Sequence, residues 1–348
     1  MTDAPDKSGM RTRDSQAPAV LLSFALALGL LGALLYVVGV DAVVVAVVTA
    51  DSLVLGALAV VVACWVGAWS GSLLVVLRAL DLPHPLGRTA LVYASMMFWD
   101  NVSPFSTVAA DPVAAGVLSR TFDVEYERSL AAVVTVDFLN FLPSPLFAAV
   151  GLLFAGTTAV LPGLAGTTLA SLATVLLLVS LGGALAWRER RRLAATAAEA
   201  AVAVDRTLRR IVPGATERVE PTIRTRVETL LAQLERVAAS RRTLVVALAL
   251  ATAGWFLLSL AFWLSLFAVG VVVPVGAALF AVPLVTVVEL TPLPGGVGGL
   301  EPLLVVVVAV TTGDAVAAVT AGVLVFRLAT HWGPTVVGGA AVPILWYR

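Results

Sequence analysis

The sequence predicts an all-α polytopic membrane protein, with about six transmembrane helices plus two re-entrant hairpins in an inverted repeat. Three observations lead there. Hydrophobic residues make up 60% of the 348-residue chain and charged residues 13%, against about a quarter charged in a soluble domain. Several uncharged runs exceed the roughly 20 residues that span a bilayer as helix. Two stretches also interrupt the apolar pattern in the same way. Pro104 to Pro112 and Pro294 to Pro302 each run proline, seven residues, proline, with an acid just before the second proline. A repeated helix break that carries a carboxylate points to a substrate site in a membrane protein.

Apolar runs at 19–40, 53–77, 129–156, 164–187 and 243–269 read as spans, and 314–341, with Arg327 inside it, as one more. Lys7, Arg11 and Arg13 precede the first run, but it is too long for a signal h-region, so it is expected to be a retained helix. Residues 41–52, carrying Asp41 and Asp51, read as the loop after it. The stretches near 89–119 and 271–312 are apolar but broken by Pro, Gly and acids. Arginine placement sets orientation. The basic tail, Arg78 and Arg88, Arg120 and Arg128, and the 188–242 segment share one side only if 89–119 enters and leaves by the same face. That side is expected to be cytoplasmic, in the cell membrane, and to hold the N terminus, the 188–242 segment and the C terminus. Charge does not decide 271–312. Its last part, 302–313, gives only about 18 Å of helix against a hydrocarbon core of about 30 Å, which favours a second hairpin entered from the opposite side. The chain then divides into a first membrane half, 1–187, a helical segment, 188–242, and a second membrane half, 243–348.

In 188–242, thirteen arginines stand against seven acids. Ile223, Val227, Leu230, Leu234 and Val237 recur at helical spacing, and Pro213-Gly214 divides the segment into two helices. An amphipathic pair on the membrane surface is expected, with partner docking or regulation as the other use.

The two breaks carry the chemistry. Proline suits the first turn of a helix and an acid suits the cap before it. Glu301 is therefore expected to cap a helix starting at Pro302, and Asp111 one starting at Pro112. Gly295, Gly296, Gly298 and Gly299 let the backbone fold tightly ahead of the cap, with N–H groups expected to be unpaired. Such backbone survives at membrane depth only inside protein or beside a wet cavity, and N–H groups beside a helix N-terminus suit a phosphate. Glu301 needs a counter-charge, and Arg327 is the candidate. Arg327 either also touches a lipid phosphate or serves only as a buried ion pair. Asp137 and Asn140 lie one turn apart on one helix face, as a cavity wall or as hydrogen bonds between helices, and Pro143 and Pro145 are expected to kink that helix. Asp100 and Asn101 open the first break and cap or line it. Glu289 has no assigned role.

Other signals are weaker. The single Cys64 excludes an intrachain disulfide and reads as a small buried hydrophobe. His84 and His331 are far apart and lack metal-ligand spacing. No phosphate loop, nucleophile elbow or zinc motif occurs, so no catalytic residue, metal or cofactor is expected. The eight tryptophans read as interfacial belts. No nucleic acid partner is expected.

The run Thr291-Pro292-Leu293-Pro294-Gly295-Gly296-Val297-Gly298-Gly299-Leu300-Glu301, followed by Arg327 in a later span, resembles the flippase-like membrane region of lysylphosphatidylglycerol synthases. The first break resembles it more loosely, through Asn101, Pro104, Ala109-Ala110-Asp111-Pro112, Leu118, Arg120 and Asp137. The resemblance covers roughly 19–340. It implies handling of membrane lipids, such as an anionic phospholipid or a polyprenyl-phosphate-linked headgroup, with a separate transferase as a partner. It departs at the first break, where the family's Gly-Glu-x-x-Arg has Asp111 for the Glu and Ala114 for the Arg. Arg120 or Arg128 is left as a substitute for that arginine. A membrane-embedded enzyme on lipid-linked substrates and a structural or recruiting subunit are the alternative classes.

Overall fold

A computed structural model describes residues 17–82, 85–103, 106–157, 181–182, 185, 187–211, 220–284 and 293–346. All regular structure among them is helical. Helix α1 is Ala17–Val38 and α2 is Val40–Val48. Helix α3 is Ser52–Ala79. Helices α4 and α5 are Leu86–Val102 and Ser106–Phe122. Helices α6 and α7 are Tyr126–Phe141 and Ser144–Thr157. Two polar helices follow, α8 at Arg190–Ile211 and α9 at Glu220–Ala239. Helix α10 is Arg241–Ala268 and α11 is Val275–Ala281. A tight turn at Pro294–Gly296 leads to α12, Leu300–Thr312. Helix α13, Val316–Arg327, runs through a π-helical turn, Leu328–Trp332, into α14, Gly333–Trp346.

Among the described residues, five stretches are long and apolar enough to cross a membrane: Ser52–Ala79, Tyr126–Gly151, Arg241–Ala268, Pro294–Thr312 and Val316–Leu345. A sixth is reached if Leu28–Val38 and Val40–Val48, bent by 87°, are one span. The chain is a multi-pass membrane protein. Most of the expected span at 164–187, the Pro213-Gly214 break, His84 and Glu289 lie outside the described residues.

The long helices α3 and α10 pack along each other and form the centre. Trp65 and Trp69 on α3 and Trp255 on α10 stack edge to face, with ring centroids 5.2 and 6.0 Å apart. The approach is close because Gly254 faces Trp69: a Cβ there would lie 2.0 Å from the indole nitrogen. Helix α4 lies against α14 by the same device, a Cβ on Gly338 falling 2.0 Å from the Ala94 carbonyl oxygen. Small residues allow this in lipid, where helices associate by close packing and not by the hydrophobic effect. Helices α4 and α5 pack as a hairpin, and α5 packs on α6. Helices α8 and α9 pack together, joined by Arg190 donating to Glu235 at 2.8 Å, and Arg236 pairs with Asp81 beside α3. Of the apolar stripe expected on α9, Val237 is buried and Val227, Leu230 and Leu234 are half-buried.

Several expectations are corrected. The segment 41–52 is largely the helix α2. Gly39, at a φ of 92°, turns the chain without ending helical structure, because glycine has no Cβ to oppose that angle. Asp51 then caps α3, accepting from the N–H groups of Leu53 and Val54 at 2.8 and 3.2 Å. Cys64 is exposed, not buried, since the packed face of α3 runs through Leu58, Trp65 and Leu73. Trp65 and Trp255 sit near the midpoints of 28-residue helices, so these tryptophans face the interior and not an interfacial belt.

The glycine contacts make the packing testable. Gly338→Ala should destabilise by about 1–3 kcal/mol, because backbone opposes the new methyl. Gly56→Ala, with nothing within 4 Å of the new Cβ, should be neutral or stabilising by up to about 1 kcal/mol. Thermal unfolding in detergent compares them, and equal effects would contradict the packing described.

Candidate functional site

Residues from both proline-bounded breaks line one cavity of about 460 Å³. Asp100 and Asn101, from the last turn of α4, and Asp111 from α5 come from the first break. Gly295 and Leu300 come from the second. Helix α6 adds Asp137 and Asn140, and the end of α13 adds Phe326, Arg327 and, past it, His331. Trp65, Trp69 and Trp255 complete an aromatic wall.

The second break is built around one ion pair. Arg327 Nε donates to Glu301 Oε1 at 2.7 Å, and Arg327 Nη2 donates to the Gly295 carbonyl at 2.7 Å. Glu301 Oε2 in turn accepts from the Gly298 N–H at 2.7 Å. Glu301 is 1% exposed and Arg327 6%, so each charge is neutralised inside protein, where an unpaired one would be costly. The loop therefore closes on itself through two charged side chains from the consecutive helices α12 and α13.

This geometry corrects two expectations. Glu301 is not the cap of α12. Gly299 holds that position and Glu301 lies in the first turn, from which its carboxylate reaches back to Gly298, as a capping-box acid does. Nor are the N–H groups of Gly296, Gly298 and Gly299 unpaired. Gly296 donates to Leu293 at 2.9 Å and Gly299 to Gly296 at 3.2 Å, while Gly298 is held by Glu301. A 3₁₀-like turn satisfies its own donors. Of the four glycines only Gly295 reaches the cavity. Gly295, Gly296 and Gly298 take φ of 53°, 66° and 79°, a region that favours glycine. A Cβ on Gly295 would also lie 2.1 Å from His331 Cε1. The glycines thus shape the wall instead of presenting a row of donors.

The first break differs from its expectation too. Asp111 and Pro112 lie inside α5, which begins at Ser106, with Pro112 as an internal proline. Asp111 is therefore no cap; it projects from mid-helix into the cavity. Pro112 cannot donate to the Val108 carbonyl, and its own carbonyl accepts from the Tyr126 hydroxyl at 3.2 Å. Asn101 Nδ2 donates to Thr335 Oγ1 at 2.8 Å, tying α4 to α14 behind the cavity. Asp111 and Asp137 line the same cavity from neighbouring helices. Ala114 is buried.

Asn140 stands out. It is 6% exposed, and both its amide nitrogen and its amide oxygen lack a hydrogen-bond partner among the described residues. Only its backbone carbonyl is used, accepting from Trp255 Nε1 at 2.6 Å. Trp65 Nε1 on the same wall is likewise without a partner among those residues. Buried polar groups are nearly always satisfied, so an orphan in a cavity marks a place where a ligand or water completes it. Among the described residues no cluster of acids, histidines or cysteines could hold a metal ion.

The sequence reading missed the aromatic wall and His331. Trp65 and Trp69, one turn apart in the middle of an uncharged span, were the available signal. His331 had none, because the π-helical turn that carries it inward leaves no mark in the apolar pattern.

The family described as the lysylphosphatidylglycerol synthase TM region matches residues 20–338. A comparison with curated proteins gives no match.

The ion pair sets a stability test. Glu301→Leu alone should cost about 3–5 kcal/mol, by leaving Arg327 buried and uncompensated. The double change Glu301→Leu with Arg327→Leu should cost clearly less than the two single changes added together. A double-mutant cycle by denaturant unfolding checks this, and additive costs would show the pair to be uncoupled.

Proposed function

The chain belongs to the lysylphosphatidylglycerol synthase TM-region family, and from that membership and the cavity we propose that it translocates polar lipid headgroups across the membrane. The headgroup enters the cavity between the two breaks while the hydrocarbon chains stay in lipid. In this reading α4–α5 and α11–α12 are re-entrant hairpins of two inverted halves, and rocking of one half against the other alternates access. The 188–242 helices and both termini lie on the cytoplasmic side of the cell membrane.

The single observation that carries the proposal is the orphaned Asn140 amide, buried on a wall shared by residues of both breaks. A polar group left bare in a membrane interior is expensive, and a passing headgroup supplies its partners. Arg327 supports the same reading. A guanidinium has five N–H donors; one goes to Glu301 and one to Gly295, and the others serve a lipid phosphate. The N–H groups of Gly296, Gly298 and Gly299, already bonded within the turn, have no part in that contact. An anionic phospholipid or a polyprenyl-phosphate-linked headgroup fits this donor set, and a transferase on a separate chain is the natural source of a modified lipid.

A lost headgroup hydrogen bond is worth about 1 kcal/mol, hence roughly a fivefold slowing of transfer. Asn140→Ala should accordingly slow transbilayer movement of fluorescent phosphatidylglycerol in proteoliposomes about fivefold. The same change should leave the thermal midpoint in detergent unchanged or raised, because it removes an unsatisfied buried group. Wild-type transfer rates in Asn140→Ala would refute the assignment.

A further inference from the structure

We propose that the cavity selects a hydroxylated headgroup, a polyol or a sugar carried on the lipid phosphate, through the Asn140 amide and the Trp65 indole. The inference rests on the translocation reading above for the lipid's passage, and on the unpaired groups of the wall for the headgroup's chemistry.

The wall itself states what the occupant must supply. Asn140 Nδ2, Asn140 Oδ1 and Trp65 Nε1 have no hydrogen-bond partner among the described residues. Both residues line the cavity, and they are only 6% and 4% exposed, so bulk water does not serve these atoms. An amide nitrogen and an indole nitrogen only donate, and an amide oxygen only accepts. The occupant therefore has to accept from the Asn140 and Trp65 nitrogens and donate to the Asn140 oxygen. Exchanging the oxygen and nitrogen of the amide leaves the same demand.

That demand separates the common headgroup chemistries. An ammonium group has donors alone and leaves Asn140 Nδ2 and Trp65 Nε1 unmet. A phosphate or carboxylate group has acceptors alone and leaves Asn140 Oδ1 unmet. A hydroxyl both donates and accepts, so it answers each of the three atoms. It also makes the bonds that a water would make there, and displaces water without loss. Asp100, Asp111 and Asp137 line the cavity as well. A carboxylate accepts from a hydroxyl and from an ammonium alike, so the orphaned groups make the distinction.

The rest of the wall fits the carbon frame between hydroxyls. Trp65, Trp69 and Trp255 pack edge to face, and Trp255 Nε1 donates to the Asn140 carbonyl at 2.6 Å. That bond holds the Asn140 backbone against the indoles. A polyol joins apolar C–H groups to hydroxyls, and an indole likewise joins an apolar body to a polar N–H. Arg327 lines the same cavity and keeps guanidinium donors beyond those on Glu301 and Gly295 for the phosphate. The cavity's volume of about 460 Å³ lies within the roughly 300–1,000 Å³ of small-molecule sites.

Binding and transfer by the full chain test this with lipids that differ only in headgroup. They are phosphatidylglycerol, phosphatidylinositol, phosphatidylethanolamine and phosphatidylpropanol, which keeps the charge of phosphatidylglycerol and lacks its hydroxyls. In detergent, calorimetric titration with short-chain forms should show phosphatidylglycerol or phosphatidylinositol binding at least about fivefold more tightly than phosphatidylpropanol, the factor for one hydrogen bond. Phosphatidylethanolamine should bind no better than phosphatidylpropanol. Fluorescent forms in proteoliposomes should be transferred in the same order. Tighter binding of phosphatidylinositol supports a ring polyol as the source of the hydroxyls, and tighter binding of phosphatidylglycerol supports a glycerol. Asn140→Leu, which keeps the side-chain volume, and Trp65→Phe, which keeps an aromatic ring, should each bring the hydroxyl preference towards parity in protein that still unfolds cooperatively on heating. Equal binding of the hydroxylated and propanol lipids by wild type overturns the inference, as does a preference for phosphatidylethanolamine. A hydroxyl preference undiminished in both folded variants overturns it too. A wild type that moves none of these lipids refutes the translocation reading, and the headgroup preference is then decided by the calorimetry alone.

Discussion

The ring formed by Gly295, Arg327, Glu301 and Gly298 is the constraint on which the cavity depends. It joins a turn with three left-handed glycines to the last residue of α13, Arg327, which lies 26 residues after Glu301. A buried ion pair of this kind is weak as a net stabiliser, because desolvation offsets most of the Coulomb attraction. Its strength is in what it forbids. Neither charge can leave without exposing the other to a low-dielectric interior, so the turn, α12 and α13 keep one arrangement. That arrangement brings Gly295 against the Asn101 end of the first break and sets His331 beside it.

The cavity wall is divided by chemistry. On one side are Arg327 and Glu301, whose charges offset each other while part of the guanidinium is left for a ligand. On another are the Asn140 amide and the Trp65 indole, on a wall shared with Asp111 and Asp137. Unsatisfied groups of this kind are what a site with a changing occupant requires, since each loses stability when the cavity is empty and recovers it when filled.

Much of this was legible in the sequence, and the boundary between legible and hidden is physical. Hydropathy marks the long helices because burial in lipid demands an uncharged run. The proline–acid spacing marked Asp111, Gly295 and Glu301, and the lone intramembrane arginine marked Arg327, because an ion at that depth needs a partner. What failed were inferences about local backbone. Pro112 was read as a helix start, yet α5 continues through it, since a proline can be carried inside a helix when neighbouring groups satisfy the freed carbonyls. The glycine N–H groups were read as free because a sequence does not show that the Glu301 carboxylate folds back three residues. Helix α2 was hidden because Gly39 reads equally as a turn or as a corner between helices. The orphaned amide of Asn140 is invisible to any reading by residue type, since satisfaction belongs to the assembled fold.

The π-helical turn at Leu328–Trp332 has a consequence for how the last two helices are phased. An α-helix advances about 100° per residue, and a π-helical turn accommodates one residue more than an α-helical turn. Everything beyond Trp332 is therefore rotated against everything up to Arg327 by about that angle. Arg327 faces the glycine turn while Gly338 faces Ala94, and the bulge sets the phase between these two contacts. Deleting a single residue between them would convert the bulge to regular helix and swing the glycine seam off its neighbour. The length of this stretch, more than its composition, is what the chain has to preserve.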